Sequence, residues 1–213
     1  MPTIRPFLAI VLILTCGLID HPACGCTGTA LVAKDGSVVV GRTLEFGMPP
    51  DSHLIVHPVG TPFIGQTPSG ESGVAFSAKY GFAGITVSDD GSLLLDGTNE
   101  KGLNAAVFYF PGYAKFAEAI PENRKRGLSP MQLSTWILAN CANVAEVKQK
   151  LDQVAVLGVY LKYMQTIPEV HYKIQDASGA CITIEPIDGR LKIYENPLRV
   201  ITNSPEFPWH ITH

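Results

Sequence analysis

The sequence predicts an antiparallel α+β fold. Three observations carry this reading: β-rich runs recur in pairs around Asp-Gly and Ser-Gly turns, two helical segments stand together in the middle, and further paired strands follow them. No repeat, linker or second domain interrupts the 213 residues, a length that can bury one good-sized core.

The elements follow in order. Residues 28–43 form the first hairpin, with TALVA and SVVVGRT flanking Lys34-Asp35-Gly36, and Asp-Gly is a strong hairpin-turn signal. HLIVHPV (53–59) reads as a strand, and residues 60–73, rich in Gly, Pro, Ser and Thr, as a loop. ITVS and SLLLD flank Asp89-Asp90-Gly91 as a second hairpin, and LNAAVFYF (103–110) is a further strand. Ser129-Pro130 reads as an N-cap followed by Pro at the first helical position, leading into MQLSTWILANC. Asn143, with Glu146 three residues on, is a capping-box-like start for VAEVKQKLDQV. HYKIQD and ACITIEP flank Ser178-Gly179, and Asp188-Gly189 leads into RLKIYE.

Hydrophobic residues make up 46% of the chain, charged residues 16%, and the formal net charge is −3. That is a globular composition with no Lys/Arg stripe for nucleic acid, and NRKRG (123–127) reads as a solvated loop. The first 25 residues read as a secretory signal, with Arg5 in a sparse positive region and FLAIVLIL (7–14) as the apolar one. That run is shorter than the about 20 apolar residues that span a bilayer, so no membrane association is expected after cleavage. Ala23 and Gly25 stand at −3 and −1 for cleavage before Cys26, making 26–213 the mature domain of a secreted or periplasmic protein. Cleavage after Ala23 is disfavoured by Pro22. Lipid attachment at Cys16 or Cys24 would need a lipobox, which ILTC and HPAC match poorly. Cleavage before Cys26 leaves an odd set of Cys26, Cys141 and Cys181, which suggests a free thiol. Cys141 and Cys181 lie in apolar patterns and read as buried thiols rather than a pair.

A cysteine at the start of a mature chain carries its own base. The α-amine has a reference pKa near ~7.7–8.0 and the thiol near ~8.5. The amine can take the thiol proton and later deliver it to a leaving amine. Arg42, at the end of the second hairpin strand, returns beside the start of the first, where a guanidinium stabilises a thiolate. Glu45 either holds Arg42 or accepts from the α-ammonium. The bland alternative is a strand-end ion pair beside the tail of a signal sequence.

CTGTALVAKDGSVVVGRTLEF (26–46) resembles the N-terminus of the choloylglycine hydrolase and penicillin V acylase family, N-terminal-nucleophile (Ntn) cysteine hydrolases. DGTNEKGLNAAVFYFPGYAKF (96–116) resembles the family's Asn-Glu-x-Gly-Leu segment, and CITIEPIDGRLKIYENPLRVITNSPEF (181–207) its central strands and Thr-Asn-x-Pro turn. The resemblance implies an αββα sandwich, two antiparallel sheets between helix layers, and hydrolysis of linear amide C–N bonds without metal or cofactor. It implies Cys26 as nucleophile, Arg42 and Glu45 beside it, and Asn203 in the oxyanion hole. Glu45 departs from the family's usual Asp. Tyr109 stands where many members have Asn, and the resemblance implies that it contributes its backbone N–H while its side chain faces the substrate. The family also implies a longer chain, so this one is expected to be C-terminally truncated. A homotetramer is expected only of the full length.

Other constellations carry less. His53 and His57 lie on a strand, where they share a side without converging on a metal. Ser134 sits mid-helix, and Ser204 lacks a Gly-x-Ser-x-Gly elbow. Leu133, Trp136 and Ile137 fit a helix core face. Tyr113 and Phe116 are either core or the lining of an acyl pocket. The reading is therefore an amidase acting on small amides of the penicillin V, N-acyl homoserine lactone or conjugated bile salt type. The alternative is a truncated relative without catalysis, or a binding scaffold.

Overall fold

Asp35 and Gly36 close the first hairpin by complementary means. Gly36 adopts a φ of 85°, which a side chain would resist, while Asp35 Oδ1 accepts from the Ser37 amide and hydroxyl. In the computed structural model, which describes residues 25–45, 51–162 and 164–212, this turn joins β1 (Gly25–Val32) to β2 (Val38–Glu45). Their register runs from Gly25 opposite Glu45 to Val32 opposite Val38. The signal-sequence reading lies outside the described residues.

The strands β3 (His53–His57), β4 (Pro62–Gln66), β5 (Ser72–Ser77), β6 (Phe82–Thr86), β7 (Leu94–Asn99) and β8 (Asn104–Tyr109) come next. After β8 the chain forms α1 (Pro121–Lys125), β9 (Gly127–Leu128), α2 (Gln132–Asn140), α3 (Val144–Lys150) and β10 (Ala155–Val156). It returns through β11 (Val170–Gln175), β12 (Cys181–Ile187) and β13 (Arg190–Glu195), and then α4 (Phe207–Thr212). Seven strands form the main sheet in the order β13-β12-β11-β8-β7-β6-β3, every neighbouring pair antiparallel.

Side-chain alternation gives this sheet two different faces. Ala105 and Val107 of β8, Tyr172 and Ile174 of β11, and Ile182 and Ile184 of β12 pack in one cluster with Leu133, Trp136 and Ile137 of α2. On the opposite face Ala106 and Phe108 cluster with Cys26 and Ile201. The layers are thus helix, main sheet and β1–β2 hairpin. The hairpin's outer face is exposed, with Leu31 at 67% and Val39 at 61%.

Three local readings need correction. Residues 60–73 are not one loop but hold β4 and the start of β5. The glycines that suggested a loop serve close packing: a Cβ at Gly65 or Gly73 would lie 2.0 or 2.2 Å from the Gly127 carbonyl oxygen. The α2 helix starts at Gln132 with Met131 at its N-cap, while Ser129 gives its carbonyl, not its hydroxyl, to the Gln132 N–H. NRKRG is partly helical, because Pro121 and Glu122 supply the start of α1 just upstream. The cap at Asn143 is as expected, its side chain accepting from the Glu146 N–H at 2.9 Å. Cys141 and Cys181 are free, buried thiols.

Candidate active site

Cys26 lies on the inner face of β1, only 6% exposed, against Phe108 of the sheet. Gly28 permits this close approach, since a Cβ there would lie 2.4 Å from the Phe108 ring. Arg42 pairs with Gly28 across the hairpin and so returns to within two residues of Cys26, as the sequence suggested. Its guanidinium carbon sits 4.5 Å from the centre of the Phe108 ring.

The main sheet opens at this point. β7 and β8 pair only from Thr98 opposite Asn104 to Asp96 opposite Ala106. Beyond Asp96 the two strands separate, and their carbonyls need other partners. Arg42 Nη1 supplies them, donating to Val107 O at 2.7 Å and Leu95 O at 3.1 Å. A cavity of about 70 Å³ opens along this seam, lined by Cys26, Arg42, Leu44 and Phe108 with Leu95, Tyr109, Met131 and Met164. Its walls are chiefly apolar, apart from the guanidinium and the thiol.

Tyr109 is placed by the same seam. The Phe110 N–H is held by Glu169 O of the chain leading into β11. Alternation therefore turns the backbone groups of Tyr109 the other way, toward the seam that Val107 O already faces. Asn203 is placed by a short strand-like return. Ile201 and Gly28 exchange both backbone hydrogen bonds, at 2.8 and 2.9 Å, and Ala30 N–H donates to Arg199 O. The bridge ends at Ile201, and Asn203 follows two residues on, where the chain bends.

Glu45 stands apart from Arg42. The two lie on opposite faces of β2, and Arg42 is engaged by carbonyls rather than by this carboxylate. Glu45 pairs with Gly25, and a Cβ built there would lie 3.3 Å from Glu45 Oε2. Of the two roles open for Glu45, the geometry brings it near the N-terminal side of Cys26. Tyr113 is 40% exposed and stacks on Phe110, and Phe116 packs against the core. Neither lines the cavity beside Cys26.

Sequence reasoning missed two sets of residues. Leu44, Met131 and Met164 line the cavity without any motif to flag them. His171 and Glu185, both fully buried, pair at 3.0 Å directly beneath the turn that carries Asn203. Their pairing follows from the β11–β12 register, which the Ser178-Gly179 turn fixes. Near the site, burial pushes the Asp96 carboxyl up, opposed by the Asn104 amide at 2.9 Å and the charges of Arg42 and Lys173. Among the described residues no cluster of His, Cys, Asp or Glu could hold a metal ion, and no helix is long and apolar enough to cross a membrane.

The family model for linear amide C–N hydrolases of the choloylglycine hydrolase family matches residues 26–213, and the chain belongs to that family. It is 31% identical to a bile salt hydrolase/transferase of Clostridium perfringens, over 88% of this chain and 56% of that protein. A solved variant of conjugated bile acid hydrolase from Clostridium perfringens superposes with a TM-score of 0.76 at 29% identity, covering 88% of this chain and 56% of that one. Penicillin V acylase from Agrobacterium tumefaciens gives 0.75 at 26% identity, covering 88% and 55%. These neighbours carry the Ntn-hydrolase sandwich expected from the sequence, and the chain spans a little over half of their length.

Proposed function

We propose that this chain forms the nucleophile-bearing part of an exported hydrolase of linear amide C–N bonds, with Cys26 as its N-terminal residue. The observation that carries the reading is Cys26 held beside Arg42 on one apolar cavity, in a chain of this family. Removal of residues 1–25 frees the Cys26 amine as a neutral base, and Glu45, already close to Gly25, would accept from the ammonium formed once that amine has taken the thiol proton. As sulfur bonds to the substrate carbonyl carbon, the thiol proton passes to the amine. The C–N bond then breaks and that proton leaves with the released amine. Water adds to the thioester, the C–S bond breaks, sulfur regains a proton, and the acid departs.

The developing oxyanion needs preorganised donors. The Tyr109 N–H, turned to the seam, and the side-chain amide of Asn203, two residues beyond the bridge that ties Ile201 to Gly28, are the donors proposed for that role. Arg42 supplies positive charge beside the sulfur. The apolar walls suit the acyl half of an amide of the penicillin V, N-acyl homoserine lactone or conjugated bile salt type, and a homotetramer is the assembly proposed for a longer chain.

A panel of those three amides, assayed with the protein exported by its host, tests the reading. Turnover that vanishes in Cys26→Ala supports it, and full turnover in Cys26→Ala contradicts it. A scaffold without catalysis is the second reading, favoured by the exposed apolar residues Leu31, Val39, Leu54 and Val56. Folded protein with no turnover on any of the three would support it.

A further inference from the structure

We propose that His171 and Glu185 form a positioning pair that holds the Asn203 turn against the nucleophile. The inference rests on the oxyanion role proposed for Asn203. The two side chains are cross-strand neighbours on β11 and β12, one step beyond the pairing of Tyr172 with Ile184, and both are fully buried. His171 Nδ1 lies 3.0 Å from Glu185 Oε1, and Nε2 lies 3.0 Å from the Thr202 carbonyl oxygen. Glu185 accepts from the Phe207 N–H at 2.9 and 3.1 Å with its two oxygens. One pair of side chains thus grips the chain on both sides of Asn203, at Thr202 and at Phe207. Ser204 adds a bond to Pro111 O at 2.9 Å, and Phe110 stacks flat on the His171 ring at 4.4 Å.

The hydrogen positions follow from the partners. A carbonyl oxygen only accepts, so Nε2 carries a hydrogen and donates it to Thr202 O. Nδ1 and Oε1 then share a further proton. A buried polar pair of this kind is a poor source of net stability, because desolvation offsets its attraction. Its effect here is directional: each of its outward bonds ends on the turn from Thr202 to Phe207. A shift of about 1 Å in a catalytic group can cost about 100-fold in rate, so a loosened turn lowers turnover while Cys26 stays intact.

Glu185→Gln separates geometry from charge. A glutamine amide N–H can donate to Nδ1 of a neutral imidazole, and its carbonyl can accept from the Phe207 N–H, so the clamp persists. Glu185→Ala and His171→Ala open it.

The test is a double-mutant cycle on the host-exported protein, with penicillin V, a glycine-conjugated bile salt and an N-acyl homoserine lactone as probes. Asn203→Ala alone lowers kcat by about 10²–10³-fold if the oxyanion role holds. His171→Ala and Glu185→Ala each lower kcat by about 10–100-fold with KM changed less than about twofold, and Glu185→Gln retains most of the turnover. In the Asn203→Ala background, His171→Ala costs less than about twofold, because the group it positions is gone. Equal losses for His171→Ala with and without Asn203 overturn the positioning role while leaving the oxyanion reading intact. An undiminished kcat in Asn203→Ala overturns the oxyanion reading itself, as does the absence of turnover by the unsubstituted protein. Should His171→Ala fail to fold, Glu185→Gln and Glu185→Ala carry the same comparison, and equal kcat in those two contradicts the clamp.

Discussion

Arg42 Nη1 stands 2.7 Å from the Val107 carbonyl oxygen and reaches Leu95 O at 3.1 Å, so a hairpin side chain joins two strands of the main sheet where their own ladder stops. The guanidinium therefore holds the seam together as well as charging the cavity beside Cys26. Arg42→Leu leaves both carbonyls without this donor, and an unsatisfied buried acceptor costs about 1–3 kcal/mol. For a chain of this size we expect a fall in Tm of about 5 °C together with loss of turnover. Arg42→Lys keeps a charge but not the planar donor set, and is expected to recover less than half of the lost stability. Thermal unfolding and amide turnover of both variants check this.

Gly28→Ala tests the approach of β1 to the sheet. The added Cβ would meet the Phe108 ring at 2.4 Å, with Ile201 at 3.3 Å behind it. Overpacking of this kind costs about 1–3 kcal/mol, and it pushes Cys26 away from the seam. A lower denaturation midpoint is expected, with a drop in kcat of about tenfold or more. Gly41→Ala, at a position with no heavy atom within 4 Å, is the matched control and should change little.

The fold was legible wherever a turn announced it. Asp35-Gly36, Asp90-Gly91, Ser178-Gly179 and Asp188-Gly189 each mark a hairpin, and Asn143 with Glu146 marks α3. Two of the missed pieces share a cause: their glycines and prolines serve packing or helix starts rather than loops, as at Gly65, Gly73 and Pro121. In the site, Cys26 and Arg42 could be joined from hairpin register alone. The relation of Asn203 to Cys26 could not, because it depends on the Ile201–Gly28 bridge between segments far apart in the chain. The expected company of Glu45 was only half resolved by sequence, since strand alternation sets it on the face away from Arg42.

Asp176 gives the fold a defined acid limb. Burial pushes its carboxyl up, but bonds from the Ser178 hydroxyl and from the Val144, Ser178 and Ala180 N–H groups outweigh that and hold it below the usual carboxylate value. A pKa lowered by folding adds stability that is fully present above the unfolded value near ~3.9 and is lost as pH falls through the folded value. Tm measured from pH 6 downward should therefore fall more steeply below about pH 4 for the unsubstituted protein than for Asp176→Asn. Parallel curves would contradict the assignment.

The remaining thiols should be inert in the native state. Burial pushes Cys141 up to about 12, with Lys150 opposing, and Cys181 up to about 11, with Lys173 opposing. At pH 8 the thiolate fractions are then about 10⁻⁴ and 10⁻³. A maleimide should modify both only after denaturation, which peptide mapping of native and unfolded samples resolves.

The central claim is that Cys26 is both the first residue of the working protein and its nucleophile. Its most direct test is mass spectrometry of the host-exported protein, acid-quenched during turnover of an amide from the panel. The account predicts an N-terminal peptide beginning at Cys26 and carrying the substrate's acyl group as a thioester, absent from Cys26→Ala. A protein that turns the amide over while retaining Gly25, or that carries the acyl group on another residue, would contradict it.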